Sequence, residues 1–436
     1  MHASEVKEQV AGRGGPQNGA ESYPLADRAR SGSMVFICVL AFIDSLGTGI
    51  AAPVLPRLLQ YLGGGTSAQV ATTYAVLTSI GAVTTFLFSP LIGALSDRFG
   101  RKTILLVSVA ATAATNVVLA GATTFWPWVV TQVLCGVFGC SMIAARAYVA
   151  DIASESDRAA RFGTLNAAFA GGLICGPVLG GMLVAWNVRA PFWLAAGVAS
   201  VNFCYGLVFL AEGRRPQVTK EAIWISALPL RAFRRIRGST VLRMMVLALF
   251  VDELASSMAR PALVFLMQFD LHWTAREVGV AFTVFATAVF LCQGFVTKAV
   301  IGALGERGSL WLGMSMLTVF VSLLALVSAP WQVYVVIILI ALGTLGGPAA
   351  QSIVSKEVSP DEQGALQGTL GSNMVLAGVI GPPLGAWAYA HAGAAPIGSH
   401  ASSPVFLLAG LISFAAAACA YLATASKRER KSEARA

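Results

Sequence analysis

The chain reads as long apolar runs divided by short polar breaks. Leu77–Ile92 and Thr103–Trp128 hold no Asp, Glu, Lys or Arg, while Gly93-Ala-Leu-Ser-Asp97-Arg98-Phe-Gly100-Arg101-Lys102 between them carries four charges in ten residues. About 20 apolar residues cross the hydrocarbon core of a bilayer, and only helices or closed barrels satisfy the backbone there. The runs are unbroken rather than alternating, which excludes a barrel. Twelve spans are expected, near 34–56, 72–94, 103–121, 126–150, 162–186 and 190–211, then 241–267, 277–301, 308–328, 331–354, 365–391 and 403–425. The segment 93–102 reads as a charged hairpin between the second and third.

Composition excludes a soluble core: apolar residues are 56%, charged residues 12% and mean hydropathy is +0.72, where soluble domains carry roughly 25% charge. Lys and Arg set the orientation. Arg98, Arg101 and Lys102 follow span 2; Arg214, Arg215, Lys220, Arg231, Arg234, Arg235 and Arg237 follow span 6; Lys427, Arg428, Arg430, Lys431 and Arg435 follow span 12. The alternate breaks are poor, with Arg57 after span 1 and Arg189 after span 5. Both termini are thus expected in the cytoplasm, in an inner or plasma membrane. This bias accounts for the net charge of +9, and nothing calls for a nucleic-acid partner. Residues 1–33 are polar and read as a disordered cytoplasmic tail, with no signal peptide before span 1. Residues 34–211 form a first half, 212–240 a linker, 241–425 a second half and 426–436 a tail.

Seven cysteines (Cys38, Cys135, Cys140, Cys175, Cys204, Cys292, Cys419) lie inside apolar runs without a C-x-x-C pair and read as small buried hydrophobes. The histidines His2, His272, His391 and His400 lack ligand spacing, so no metal site is expected. No G-x-x-x-x-G-K loop and no nucleophile–base arrangement stands out, so neither a nucleotide cofactor nor an enzyme is expected.

The halves repeat. Gly93-Ala-Leu-Ser-Asp97-Arg98 recurs as Gly302-Ala-Leu-Gly-Glu306-Arg307, 209 positions on. Asp157-Arg158 before Gly163 is echoed by Asp361-Glu362 before Gly364, and Gly176-Pro177-x-x-Gly180 by Gly381-Pro382-x-x-Gly385 at an offset of 205. The fold class is therefore an all-α integral membrane protein, twelve transmembrane helices in two six-helix halves. A solute site belongs near the bilayer midplane between them.

Ionisable residues inside the membrane are costly, and each is a candidate for function. Asp44 sits mid-way in span 1, and Asp252 and Glu253 mid-way in span 7. Arg260 is two turns along from Glu253, placed to neutralise it or to bind an anionic solute. One of Asp252 and Glu253 is expected to face a central cavity, the other, about 100° around the helix, to pair with a neighbouring span. Gln132 and Asn116 offer neutral hydrogen bonds. Arg146 lies near the cytoplasmic end of span 4, within reach of Asp97 and Asp151.

Residues 93–102 resemble the span 2–3 loop signature of the major facilitator superfamily, G-x-L-a-D-r-x-G-r-k/r. Gly47-Thr-Gly-Ile-Ala-Ala-Pro53-Val-Leu-Pro56 is similar to the end of span 1 in its twelve-span drug:proton antiporters. Gly172-Leu-Ile-Cys-Gly176-Pro177-Val-Leu-Gly180-Gly181 is similar to their span 5 antiporter motif, which bends that span and is associated with exporters. Tyr148-Val-Ala-Asp151-Ile, Arg161-Phe-Gly163 and Gly364-Ala-Leu-Gln-Gly368 look like the tetracycline efflux pumps. The resemblance implies the major facilitator fold and alternating access, with the proton gradient as driving force and no cofactor. It implies partners limited to a small-molecule solute, protons and the bilayer, with one chain acting as a monomer. It also implies a conformational latch of Gly93, Asp97, Arg98, Gly100, Arg101 and Lys102 with Arg146 and Asp151, locking an outward-open state. The chain departs from the tetracycline pumps at three charged positions: Thr115-Asn116 in span 3, Gln132 in span 4 and Leu317 after Gly313-Met-Ser-Met in span 9 are neutral. Proton coupling here must use other groups. Export of a drug, toxin or metabolite such as a siderophore is the expected activity; an uptake symporter, or a receptor that kept the fold without transport, are the alternatives.

Overall fold

The computed structural model describes residues 24–63, 65–139, 141–152, 157–210, 240–359, 363–391 and 401–433. These are helical, without a strand among them: α1 (Pro24–Gly63), α2 (Ser67–Phe99), α3 (Arg101–Gly121), α4 (Trp126–Phe138), α5 (Ser141–Ile152), α6 (Arg158–Trp186), α7 (Ala190–Phe209), α8 (Thr240–Phe265), α9 (Ala275–Leu291), α10 (Thr297–Leu323), α11 (Pro330–Gly343), α12 (Gly346–Ser355), α13 (Gln363–Ala390) and α14 (Ser403–Glu433). Helices α4 and α5 form one broken span, as do α11 and α12, and a π-helical turn at Cys292–Val296 joins α9 to α10. Counted as spans, the described residues give the expected twelve. By length and composition alone, seven stretches are apolar enough to cross a membrane, one of them (Ala275–Leu326) covering two spans. Helix α8 is not among the seven because Arg243, Asp252, Glu253 and Arg260 interrupt it.

Local chemistry sets the helix ends. Thr66 and Thr274 each open the second span of a half with a capping box. Thr66 Oγ1 accepts the Gln69 N–H at 3.4 Å and Gln69 Oε1 the Thr66 N–H at 2.9 Å; Glu277 Oε2 accepts the Thr274 N–H at 2.7 Å. Pro127, Pro191 and Pro330 sit in first turns, where a missing N–H costs nothing.

The charged segment 93–102 is not a loop. Helix α2 continues to Phe99 and α3 begins at Arg101, so the whole turn is Gly100, at φ 90° and ψ 145°, a conformation essentially reserved for glycine. The second half repeats the device at Gly305, φ 70°. The two glycines are 205 apart (305 − 100), matching the Gly176/Gly381 offset (381 − 176) and correcting the 209 register by about one helical turn. Both terminal stretches carry helix: residues 24–33 belong to α1 rather than to a disordered tail, and in the expected C-terminal tail residues 426–433 continue α14. Residues 1–23, the 212–239 part of the linker, His2, Cys140, Asp361, Glu362 and His400 lie outside the described residues.

The bundle has two ends. One carries the Gly100 and Gly305 turns and the charges beside them, the basic end; the other carries the 1–2, 3–4, 5–6 and 7–8 turns, the far end. Toward the far end a single apolar cluster draws on both halves, including Leu55, Leu58, Trp128 and Phe192 with Met258, Phe265, Trp273 and Tyr389. Toward the basic end the core splits. One cluster holds first-half residues alone (Phe36, Ile92, Leu105, Tyr148, Leu165), another second-half residues alone (Leu242, Met314, Val354, Leu366, Ala423). Burial of shared apolar surface thus clamps the halves at the far end and leaves them separate at the basic end.

Candidate solute cavity

A cavity of about 1240 Å³ lies between the halves. Its far-end floor is Leu55, Tyr74, Trp128 and Phe192; its walls run toward the basic end as far as Asn166 of α6 and Gln293 of the π-turn. Trp128 meets Phe192 edge-on, ring centroids 5.6 Å apart, and its indole nitrogen is buried without a partner.

Hydrogen bonds cross between the halves at the far end and part-way along the bundle. Arg57 of α1 donates to the Trp273 carbonyl, Ser79 Oγ to the Val379 carbonyl at 3.1 Å, and Thr283 Oγ1 to the Ile174 carbonyl at 3.1 Å. Close helix approach supports them. Gly172, Gly176 and Gly180 form a stripe of α6 against α1; a Cβ at Gly176 would lie 2.7 Å from the Leu46 carbonyl oxygen and one at Gly180 3.1 Å from Ile50 Cα. Gly181 faces the second half, where a Cβ would stand 2.7 Å from the Ala275 carbonyl oxygen, and Gly279 of α9 lies against the Pro177 carbonyl. The span 5 glycine motif is therefore a two-sided contact, joining α6 to α1 within one half and to α9 across the divide.

The structure gathers most of the expected cavity residues. Asp44, Asn116, Gln132 and Arg260 all line the wall. Asn116 Nδ2 donates to the Thr112 carbonyl of its own helix at 2.8 Å, and Gln132 Nε2 to the Leu77 carbonyl at 3.1 Å, tying α4 to α2. Both amide oxygens remain as acceptors. Arg260 pairs with Glu253, its Nε also donating to the Ser256 carbonyl at 3.2 Å. The side chains are 58% and 27% exposed, so the pair meets the cavity through its guanidinium. Neither carboxylate of Asp252 and Glu253 lines the wall, against the expectation that one of them faces the cavity: Glu253 meets it only through Arg260, and Asp252 accepts from Ser413 Oγ of α14 at 3.2 Å. Successive α8 residues differ by about 100°, which sends the two carboxylates to different neighbours.

Of the latch residues, Gly93, Asp97 and Asp151 have side-chain positions outside those described; Gly100 is buried, Arg98 and Arg146 are exposed and Arg101 and Lys102 half-buried. The second half has an ion pair at the matching turn, Glu306 with Lys356 at 2.5 Å and with Ser352 Oγ at 2.6 Å. The hydrogen bonds from Lys356, then Ser352, hold the Glu306 carboxyl below its ordinary range. Among the six described cysteines only Cys292 is buried; Cys135, Cys175 and Cys204 are exposed, and Cys135 lines the cavity.

Sequence reasoning missed the aromatic wall: Phe138, Phe169, Phe282, Phe285 and Phe290 join the floor residues. A signal existed. On α9 and its π-turn the lining positions 282, 285, 286, 289, 290 and 293 follow one helical stripe, with Gly294 beside the polar Gln293 at its end. Without knowing which stripe faces lipid, that pattern has no direction.

This arrangement matches known proteins. The model of the Major Facilitator Superfamily matches residues 37–251 and again 245–436. The chain belongs to the major facilitator superfamily. The class C tetracycline resistance protein of Escherichia coli is 32% identical over 354 residues, covering 80% of this chain and 88% of that protein. Among solved structures, the nucleoside transporter NupG shares the fold at a TM-score of 0.72, 13% identity, with 90% and 98% of the two chains covered. The human organic anion transporter MFSD10 does so at 0.68, 20% identity, with 90% and 99% covered. The chain is thus a multi-pass membrane protein and a secondary active transporter, not an enzyme.

Proposed function

We propose that this transporter exports a small amphipathic compound with a flat apolar or aromatic body in exchange for protons. The observation that carries the reading is the cavity: lined by aromatic side chains from both halves, charged among the described residues only at Asp44 and at Arg260, which pairs with Glu253, sealed at the far end and parted at the basic end. The excess of Lys and Arg makes the basic end cytoplasmic, along with both termini, in an inner or plasma membrane. The cavity then faces inward, ready to take a compound from the cytoplasm. The relatives named as tetracycline resistance proteins support export. Asn116, Gln132 and Leu317, neutral where those pumps are charged, argue that the compound moved is not held as they hold theirs. One chain encloses the whole cavity, which favours a working monomer. The basic-end residues from Gly93 to Lys102, with Arg146 and Asp151, act as a latch in the opposite, outward-open state.

Driving force is sufficient. A proton supplies about 1.4 kcal/mol per pH unit and about 2.3 kcal/mol per 100 mV. One proton therefore sustains a solute gradient of roughly a hundredfold or more, at 1.4 kcal/mol per factor of ten. Everted membrane vesicles with an acid interior should accumulate tetracycline or the fluorescent aromatic cation ethidium, and should lose the gradient on addition of a protonophore. If neither probe moves in response to the pH gradient, the reading is wrong.

A further inference from the structure

Asp252 and Glu253 are sequence neighbours with different means of neutralisation. Glu253 has a cation, Arg260, at the cavity wall. Asp252 has none among the described residues: its partner is the hydroxyl of buried Ser413, 3.2 Å away. Ser413 Oγ lies 3.1 Å from Thr318 Oγ1 of α10, and Thr318 Oγ1 lies 2.9 Å from the Met314 carbonyl. Helix segments packed around the site add no charge: residues 308–323, 363–390 and 403–425 contain no Asp, Glu, Lys or Arg. Cys419, further along α14, gives its thiol hydrogen to the Met244 carbonyl. Glu253 is the nearby charged group, and it faces the other way.

The hydroxyl chain can run in two directions. With Asp252 ionised, Thr318 donates to Ser413 and Ser413 donates to the carboxylate. With Asp252 protonated, its own O–H donates to Ser413, Ser413 to Thr318 and Thr318 to the Met314 carbonyl. Every hydroxyl hydrogen has an acceptor in both cases. An uncompensated carboxylate inside a membrane is expensive, and a neutral acid with a complete hydrogen-bond chain is not. A static ion pair such as Glu253–Arg260 has no use for such reversibility.

We propose that Asp252 is the proton-loading carboxyl of the transport cycle, set outside the solute cavity, with Ser413 and Thr318 as its reversible hydroxyl chain. The inference rests on the proton-coupled export reading above. In the outward-open state a proton from outside binds a carboxylate oxygen of Asp252; in the state described here that O–H bond breaks and the proton leaves toward the cytoplasm. Nothing else is made or broken. Solute and proton then use different atoms and communicate through α8, which presents Asp252 to α14 and Arg260 to the cavity.

The test uses everted vesicles with ethidium and tetracycline as probes. Asp252→Asn should lose pH-driven accumulation by about tenfold or more, yet exchange preloaded for added probe at close to the unsubstituted rate, because the cavity is intact. Ser413→Ala keeps the carboxyl and should displace the pH profile of accumulation while exchange is unchanged. Unsubstituted protein that shows no pH-driven movement would sink the export reading itself. If that movement is present, the proposal is overturned by full accumulation in Asp252→Asn, by loss of exchange along with accumulation, or by an unmoved profile in Ser413→Ala.

Discussion

Single side chains decide what the cavity can hold. Asp44 is a carboxylate on a wall whose other charged side chain among the described residues, Arg260, is paired with Glu253, so Asp44→Asn should weaken ethidium binding by about tenfold, equivalent to 1.4 kcal/mol; unchanged affinity in purified protein would remove it from the site. Arg260 and Glu253 neutralise each other at that wall. Either residue replaced by Gln leaves the other as a bare charge, so the double variant should transport better than the sum of the single losses allows, and strict additivity in vesicle assays would contradict the pairing. At the Glu306–Lys356 pair the carboxyl is depressed, so its contribution to stability is present above the unfolded pKa and lost as pH falls through the folded value. The melting temperatures of the Glu306→Gln variant and the unsubstituted protein should therefore differ at pH 7 and converge in acid, below the ordinary carboxylate range near 4.5. Asp44 was legible from sequence because a charge in a lipid-length run announces itself. The direction of Asp252 was not: a rotation of one residue on α8 decides between cavity and α14, and only packing of the whole bundle sets it.

At the scale of elements, glycine governs how near helices come. The stripe Gly172, Gly176, Gly180 was readable as a motif, but its second face, Gly181 against Ala275 and Pro177 against Gly279, needed the second half in place. Gly181→Leu should keep the far end from closing: insertion stays normal in a membrane fraction, while transport falls to background. Near-normal transport would show the contact to be dispensable. The Gly100 turn makes a separate demand. Gly100→Ala places a side chain in a glycine-only conformation and should cost about 1–3 kcal/mol, seen as a lower melting temperature in detergent with α2 and α3 otherwise unaltered. The sequence pattern found both helices here and mistook the turn for a ten-residue loop, since charge marks a membrane boundary and does not reveal whether the helix continues beyond it.

For the whole molecule, one seal and one gap define the state. The far-end seal joins the halves through Arg57 and the Trp273 carbonyl, and Cys135 lies on the cavity wall behind it. In a variant that keeps Cys135 as its sole cysteine, Arg57→Gln should raise the rate at which an impermeant maleimide, added outside intact cells, labels that thiol. An unaltered rate would mean the hydrogen bond does not hold the seal. Twelve spans, their pairing into halves and the glycine contacts were open to sequence reasoning because each leaves a periodic mark. Which end is shut was not, as it depends on how two rigid halves lean and no residue type encodes a lean. The single-residue turn at Gly100 fixes something else, the phase of one helix against the next. Inserting one residue there would rotate α3 by about 100° and swing Asn116 off the cavity wall, so a peptide tag placed at this surface-looking position should silence transport while leaving every charge in place.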